Sequence, residues 1–182
     1  KVFWGLSSDL AYKRHFPAID WLTSYSLYSD NLSEYFDRAV APGWSAQVAE
    51  VRRILQEEAE LQEIVRLVGV DALALKDRMT LEAARSVRED FLHQIAFDDV
   101  DTYTSPKKQY GMLRLSLAWY HKGEEAVAAE VPLEQVLTMP AVEKIGRLKP
   151  VPEDQWDAHY AAATGELESQ FAGLMQEEAD HA

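Results

Sequence analysis

The chain has 182 residues, 47% hydrophobic and 27% charged, which suffices for one domain with a buried core and an appended piece. It has no cysteine, so disulfides, thiolate catalysis and cysteine-built zinc sites are excluded. A formal net charge of −13 argues against nucleic acid, whose phosphates need clustered Lys and Arg, and against docking on anionic lipid. No apolar run approaches the roughly 18 residues of a bilayer span, so direct membrane insertion is not expected.

In chain order, residues 1–28 are rich in aromatic and turn residues and read as an irregular segment, with only a short helix around Ser8–Lys13. A basic triplet, Lys13-Arg14-His15, reads as a contact for phosphate or a neighbouring subunit, or as solvated surface. Ser29 or Asp30 can cap a short helix over Leu32, Tyr35 and Phe36 that stops before the breaker pair Pro42-Gly43. From Trp44 to Val68, the residues Val51, Ile54, Leu55, Leu61, Ile64, Val65 and Val68 recur at helical spacing, with Glu58 as one interruption. Gly69 ends that helix. A linker, residues 70–78, precedes a helix capped by Thr80 with Ala84, Val87, Phe91 and Ile95 on one stripe. Asp98-Asp99-Val100-Asp101 reads as a loop, and Ser105-Pro106 as a strong helix start. That helix reaches about Ala129, tolerating Gly111 and Gly123. Val131-Pro132 and Met139-Pro140 open short helices, and Val151-Pro152 opens a last one carrying Trp156, Tyr160, Leu167 and Phe171. The acidic stretch Gln176–Asp180 reads as a fraying tail. The predicted fold is mainly α: a helical bundle behind an irregular opening segment.

No catalytic engine is visible in this pattern. The eight glycines are scattered singly and none precedes a Lys-Ser or Lys-Thr pair, so there is no phosphate-binding loop. The five histidines lack the four-residue pairing of a helical zinc site, and no Gly-x-Ser-x-Gly elbow marks a nucleophile. No catalytic residue and no metal ligand is assigned.

Three blocks carry a resemblance. The first combines Val2-Phe3-Trp4-Gly5-Leu6, Leu10-Ala11-Tyr12-Lys13-Arg14-His15-Phe16-Pro17-Ala18-Ile19 and Ser24-Tyr25-Ser26. The second is Leu61 to Gly69, and the third is Arg88-Glu89-Asp90-Phe91-Leu92 continuing from Gln94 to Tyr103. In this order they resemble the catalytic A (alpha) subunit of prokaryotic V/A-type rotary ATP synthases, and the match fades after about Pro152. The resemblance implies that residues 1–28 end a nucleotide-binding domain, here truncated and without its P-loop. Residues 29–175 would form the C-terminal helical domain, and 176–182 a disordered acidic tail. A start at Lys1, without Met or signal sequence, fits a piece of a longer chain.

The resemblance further implies a parent enzyme that couples ATP synthesis or hydrolysis to proton or sodium transport, with B subunits and a central stalk as partners. That parent binds ATP/ADP with Mg, sits in the cytoplasm and is peripheral to the membrane. No nucleotide is expected to stay bound to this piece, which is expected to be inactive alone. Phe16, Pro17, Phe97 and Tyr103 correspond to residues lining the adenine ring, and flat apolar faces suit that role. Where the family usually has Asn, this chain has Ile95. Phe91, at helical spacing with Val87, reads instead as core. Asp71, Leu73, Leu75, Lys76 and Asp77 correspond to the stalk contact, although by themselves they read as a solvated interhelical loop. The other aromatics of the opening segment are expected to pack against a sheet outside this chain. The rival reading is a free-standing acidic helical module that binds proteins and no nucleotide.

Overall fold

A computed structural model describes residues 1–181. The elements are β1 (Val2–Leu6), α1 (Ser8–Tyr12), β2 (Ile19–Ser26), α2 (Ser29–Ala39), α3 (Trp44–Val68), α4 (Leu75–Ser86), α5 (Pro106–Ala128), α6 (Leu133–Leu137), α7 (Pro140–Gly146) and α8 (Trp156–His181). The architecture is mainly α, as the periodicity predicts.

The opening segment is more regular than its composition implies. β1 and β2 pair antiparallel, with Phe3 opposite Tyr25, Leu6 opposite Ile19, and a bulge between Phe3 and Gly5. Bulge and glycine break the alternation by which a strand is recognised in sequence. Phe3 stacks on Tyr25 at 5.6 Å between ring centres, whereas Trp4 and Leu6 stay largely exposed.

α2 forms without the expected cap. Tyr28 holds the N-cap position with no side-chain bond, and Ser29 Oγ donates backward to the Ser26 carbonyl at 2.7 Å. Glycines bound the longest interior helix: Gly43 at φ 95° precedes α3 and Gly69 at φ 86° follows it, conformations that a Cβ would strain. An aromatic ladder joins α2, α3 and α5. Phe36 stacks on Trp44 at 5.1 Å, and Trp44 on Tyr110 at 6.2 Å.

The apolar stripe of α3 is buried only in its first half. Val51, Ile54 and Leu55 enter the core, but Ile64 and Val68 are exposed and Leu61 and Val65 only half-buried. Glu58, the polar interruption, is itself buried, because the Arg88 guanidinium meets it at 2.9 Å. Thr80 does not cap α4, which starts a turn earlier at Leu75 behind an extended Ala74. Buried instead, Thr80 lies 3.3 Å from the Tyr120 hydroxyl, so packing overrides its capping preference. α4 then widens into a π-helical turn, Val87–Leu92, and stops there. Ile95 therefore leaves the predicted stripe and is exposed, while Ala84 and Val87 are core and Phe91 packs partly against it.

α5 starts as predicted, with Ser105 Oγ accepting from the Lys108 N–H and Pro106 in the first turn. It is the central helix, burying Met112, Leu113, Leu115, Leu117, Trp119 and Tyr120. Trp156, Ala163, Leu167 and Phe171 of α8 complete the core. α8 continues as helix through Gln176–Asp180, where the Gln176 amide donates to Asp180 one turn on. Glu and Ala favour helix, and nothing after Gly173 breaks it, so the expected fraying is not seen there. Ala182 of the expected tail lies outside the described residues.

Two glycines test this packing. A Cβ on Gly111 would lie 2.5 Å from Trp156 Cζ2, a ring wedged in the core, whereas one on Gly165 of α8 meets nothing within 4 Å. Gly111→Ala should cost about 1–3 kcal/mol by overpacking. Gly165→Ala should stabilise by about 0.5–1 kcal/mol through helix propensity alone. Urea unfolding of both variants measures this, and equal effects would contradict the close α5–α8 approach.

Candidate functional site

A cleft of about 410 Å³ opens where the opening segment meets the end of α4 and the following loop. Pro17 forms one side, Phe91 and Leu92 of the π-helical turn another, and Tyr103 the loop side, with Lys149 and Gln109 also lining it. Behind Phe91 and Leu92 lies a second, more apolar cavity of about 310 Å³, bounded by Trp21, Trp44, Val51 and Leu113. Phe91, Leu92 and Gln109 line both.

Backbone bonds fix the positions of these side chains. Phe16 and Pro17 are joined by a cis peptide, and the Gln94 N–H donates to the Phe16 carbonyl at 2.7 Å. The loop from His93 to Thr104 looks solvated in sequence but is braced by its own carboxylates. Asp98 Oδ1 accepts from the N–H groups of Val100 and Asp101, at 2.9 and 2.8 Å. Asp101 is buried and accepts from the Ile95 N–H, while the Gln94 amide donates to the Asp101 carbonyl at 2.8 Å. The Asp98 pattern is an Asx turn, legible in retrospect from an Asp ahead of Asp-Val-Asp.

The floor rests on two lysines that sequence reasoning did not single out. Lys108, wholly buried, donates to the carbonyls of Lys149 and Val151 at 2.7 and 2.6 Å. Lys149 donates to the carbonyls of Glu89, at 3.0 Å, and His93. Burial draws both ammonium groups down from the usual lysine range, opposed for both by nearby carboxylates, Asp101 among them. Each donates to carbonyls that would otherwise be unpaired in the interior.

Of the four expected base contacts, the structure brings Pro17 and Tyr103 into the cleft lining. Tyr103 stands at the rim, 70% exposed. Phe16 and Phe97 do not line the cleft: Phe16 is half-exposed and Phe97 fully exposed. Phe91 does line it, although its spacing assigns it to core. His15 of the basic triplet is buried and turned toward the cleft wall, so it is neither solvated surface nor free to meet phosphate. Among the described residues no group of three or more His, Asp or Glu is placed to hold a metal ion, and no helix is long and apolar enough to cross a membrane.

The five expected stalk residues fall at the far end of α3. Asp71 lies in a 3₁₀ turn, Val70–Ala72, Leu73 follows, and Leu75, Lys76 and Asp77 begin α4. Lys76 reaches Glu124 at 3.6 Å, and Arg78 reaches Asp71 at 4.0 Å. Leu67 is 83% exposed, and Val68, Val70 and Leu75 are exposed beside it, forming an apolar tip.

The family described as the C-terminal domain of V and A type ATP synthase matches residues 33–137. The V-type ATP synthase alpha chain of Acetivibrio thermocellus is 54% identical over 178 residues, 98% of this chain and 30% of that protein. Those of Clostridioides difficile and Clostridium perfringens are 50% and 55% identical, over 97% and 85% of this chain. The chain therefore spans about 30% of the length of the first two of these relatives and 26% of the third.

The loop carboxylate can be tested directly. Hydrogen bonds from Asp101 and Val100 hold the Asp98 carboxyl below its usual value. A carboxyl lowered on folding contributes stability that is fully present above about pH 4 and is lost as pH falls through the lowered value. Asp98→Ala should therefore speed amide exchange at Val100 and Asp101 at neutral pH, and acidification should lower the protection of the same amides, their exchange relative to the intrinsic rate at that pH, in the unsubstituted chain. Unchanged exchange in the variant would remove Asp98 as the brace.

Proposed function

This chain belongs to the C-terminal domain family of V and A type ATP synthases, and from that premise we propose that it forms the base side of an ATP pocket and the lever behind it. The parent would be the alpha chain of a V-type ATP synthase, coupling ATP synthesis or hydrolysis to proton or sodium transport. The cleft that joins Pro17 of the opening segment to Phe91 and Tyr103 of the helical domain is the observation that carries the reading. A slot with one proline face, one phenylalanine face and a tyrosine at its mouth suits a planar heterocycle, which gains from area burial and stacking.

Phe97, fully exposed on a braced loop, is proposed to close over the base once the phosphate-binding part of the alpha chain stands opposite. The P-loop lysine, the general base and the Mg ion would be held by that part, since this sequence carries no such motif. Of its own residues this chain would contribute binding and orientation: flat walls, a mouth open to the phosphates, and a loop braced by its own carboxylates. At the other end, the apolar tip with Asp71, Leu73, Leu75, Lys76 and Asp77 is proposed to press on a central stalk. B subunits would flank the assembly, which would sit in the cytoplasm against the membrane sector. No observation favours a free-standing module over the family reading.

Stacking on a base is worth about 1–3 kcal/mol per ring. In a complete alpha chain carrying this sequence, Tyr103→Ala and Phe97→Ala should each weaken ATP binding about tenfold, as read by calorimetric titration. Unchanged affinity in both would remove the base assignment. The chain by itself should hydrolyse no ATP, and measurable turnover that survives purification would overturn the view that its chemistry resides elsewhere.

A further inference from the structure

His15 stands between the two walls of the cleft, and each of its ring nitrogens faces a carbonyl on a different wall. Nε2 lies 3.0 Å from the Arg88 oxygen, on the π-helical turn that carries Phe91 and Leu92. Nδ1 lies 3.4 Å from the Pro17 oxygen. A neutral imidazole has one N–H, and the shorter contact places it on Nε2, donating to Arg88. The ring is 6% exposed, stacked on His93 at 5.0 Å and tilted against Trp21 at 5.7 Å. The turn it grips is braced from the far side, where the Arg88 guanidinium meets Glu58 of α3 at 2.9 Å.

We propose that His15 is a positioning residue of the base cleft, setting the distance between the Pro17 wall and the Phe91–Leu92 wall. This rests on the reading of that cleft as a nucleotide pocket. His15 makes no contact with the base itself. It acts through its Nε2–H bond to the Arg88 carbonyl, from the same segment that carries Pro17, and the bond from the Gln94 N–H to the Phe16 carbonyl is the second tie across the same gap. Without the imidazole nitrogens, one of two cross-links between the walls is lost and the slot no longer holds a ring's thickness. The ion pair to Glu58 keeps the π-helical turn in place on α3, so the movable side of the gap is the opening segment.

The test uses the complete alpha chain in its assembled complex. His15→Phe keeps the stack on His93 and Trp21 but removes both nitrogens. It should raise KM for ATP about two- to tenfold with kcat unchanged, the signature of lost uniform binding. His15→Gln, which can still donate to the Arg88 carbonyl, should restore most of that loss. A merely structural role would lower kcat through loss of folded enzyme and leave KM where it is. Should His15→Phe not assemble, His15→Asn, which reaches toward Pro17 but not Arg88, reads the same KM. Tyr103→Ala is measured alongside. If it raises KM and the His15 variants do not, the positioning role is overturned and the pocket stands. If Tyr103→Ala and, measured with it, Phe97→Ala both leave KM unchanged, the pocket reading itself falls.

Discussion

The carbonyls of the π-helical turn that follows α4 find donors inside the protein, and most of those donors come from distant parts of the chain. A helix leaves its last carbonyls without intrahelical partners, and in the interior water cannot serve them. Here the Arg88 carbonyl accepts from the His93 N–H at 2.8 Å and faces His15 Nε2 at 3.0 Å. Those of Glu89 and His93 accept from Lys149, whose own carbonyl is held by Lys108 of α5. One helix end thus gathers the opening segment, the segment before α8 and the central helix around it. The cleft lies where these three meet, and its shape follows from how those carbonyls are satisfied.

The charges divide in the same way. An acidic chain is expected to keep its carboxylates in water, and most of the ion pairs are exposed ones that contribute little. The few buried charges do different work. Glu58 enters the core with Arg88, although burial still pushes its carboxyl up against the lowering effect of that partner. Breaking such a pair leaves an uncompensated charge, so it acts as a registration device between α3 and the π-helical turn. Lys108 and Lys149 supply donors to backbone carbonyls, and Asp98 and Asp101 supply acceptors to backbone N–H groups. Around the cleft, charged side chains serve mainly to hold backbone in place.

α3 connects the two proposed working ends. Its first half is fixed in the core and by Glu58, and its last ten residues, about 15 Å of helix, run out beyond the core to the apolar tip. Half of the regular apolar stripe stays uncovered because α4, packing back along α3, sets polar residues, Lys76, Asp77 and Thr80, beside Leu61 and Ile64.

Much of the helical framework was legible in the residues. The bounds of α3, the Ser105-Pro106 start of α5 and the proline starts of the short helices follow from caps, glycines and period, all local properties of the chain. The motifs of the opening segment and of Gln94–Tyr103 were enough to point to the family. The start of α4 was misread, because Thr80 suits a cap but is held mid-helix by Tyr120, forty residues away. His15 looked like one basic residue of three, and only the fold turns it inward between two carbonyls. Lys108 and Lys149 gave no signal at all, since a lysine's usual place is in water. By itself the sequence determined which segments are helical and what family they belong to. Tertiary structure alone decided which polar groups are buried, that Pro17, Phe91 and Tyr103 share a cleft while Phe97 stands outside it, and how far α3 outruns its core. Those outcomes depend on partners distant in the chain, and periodicity carries no information about them.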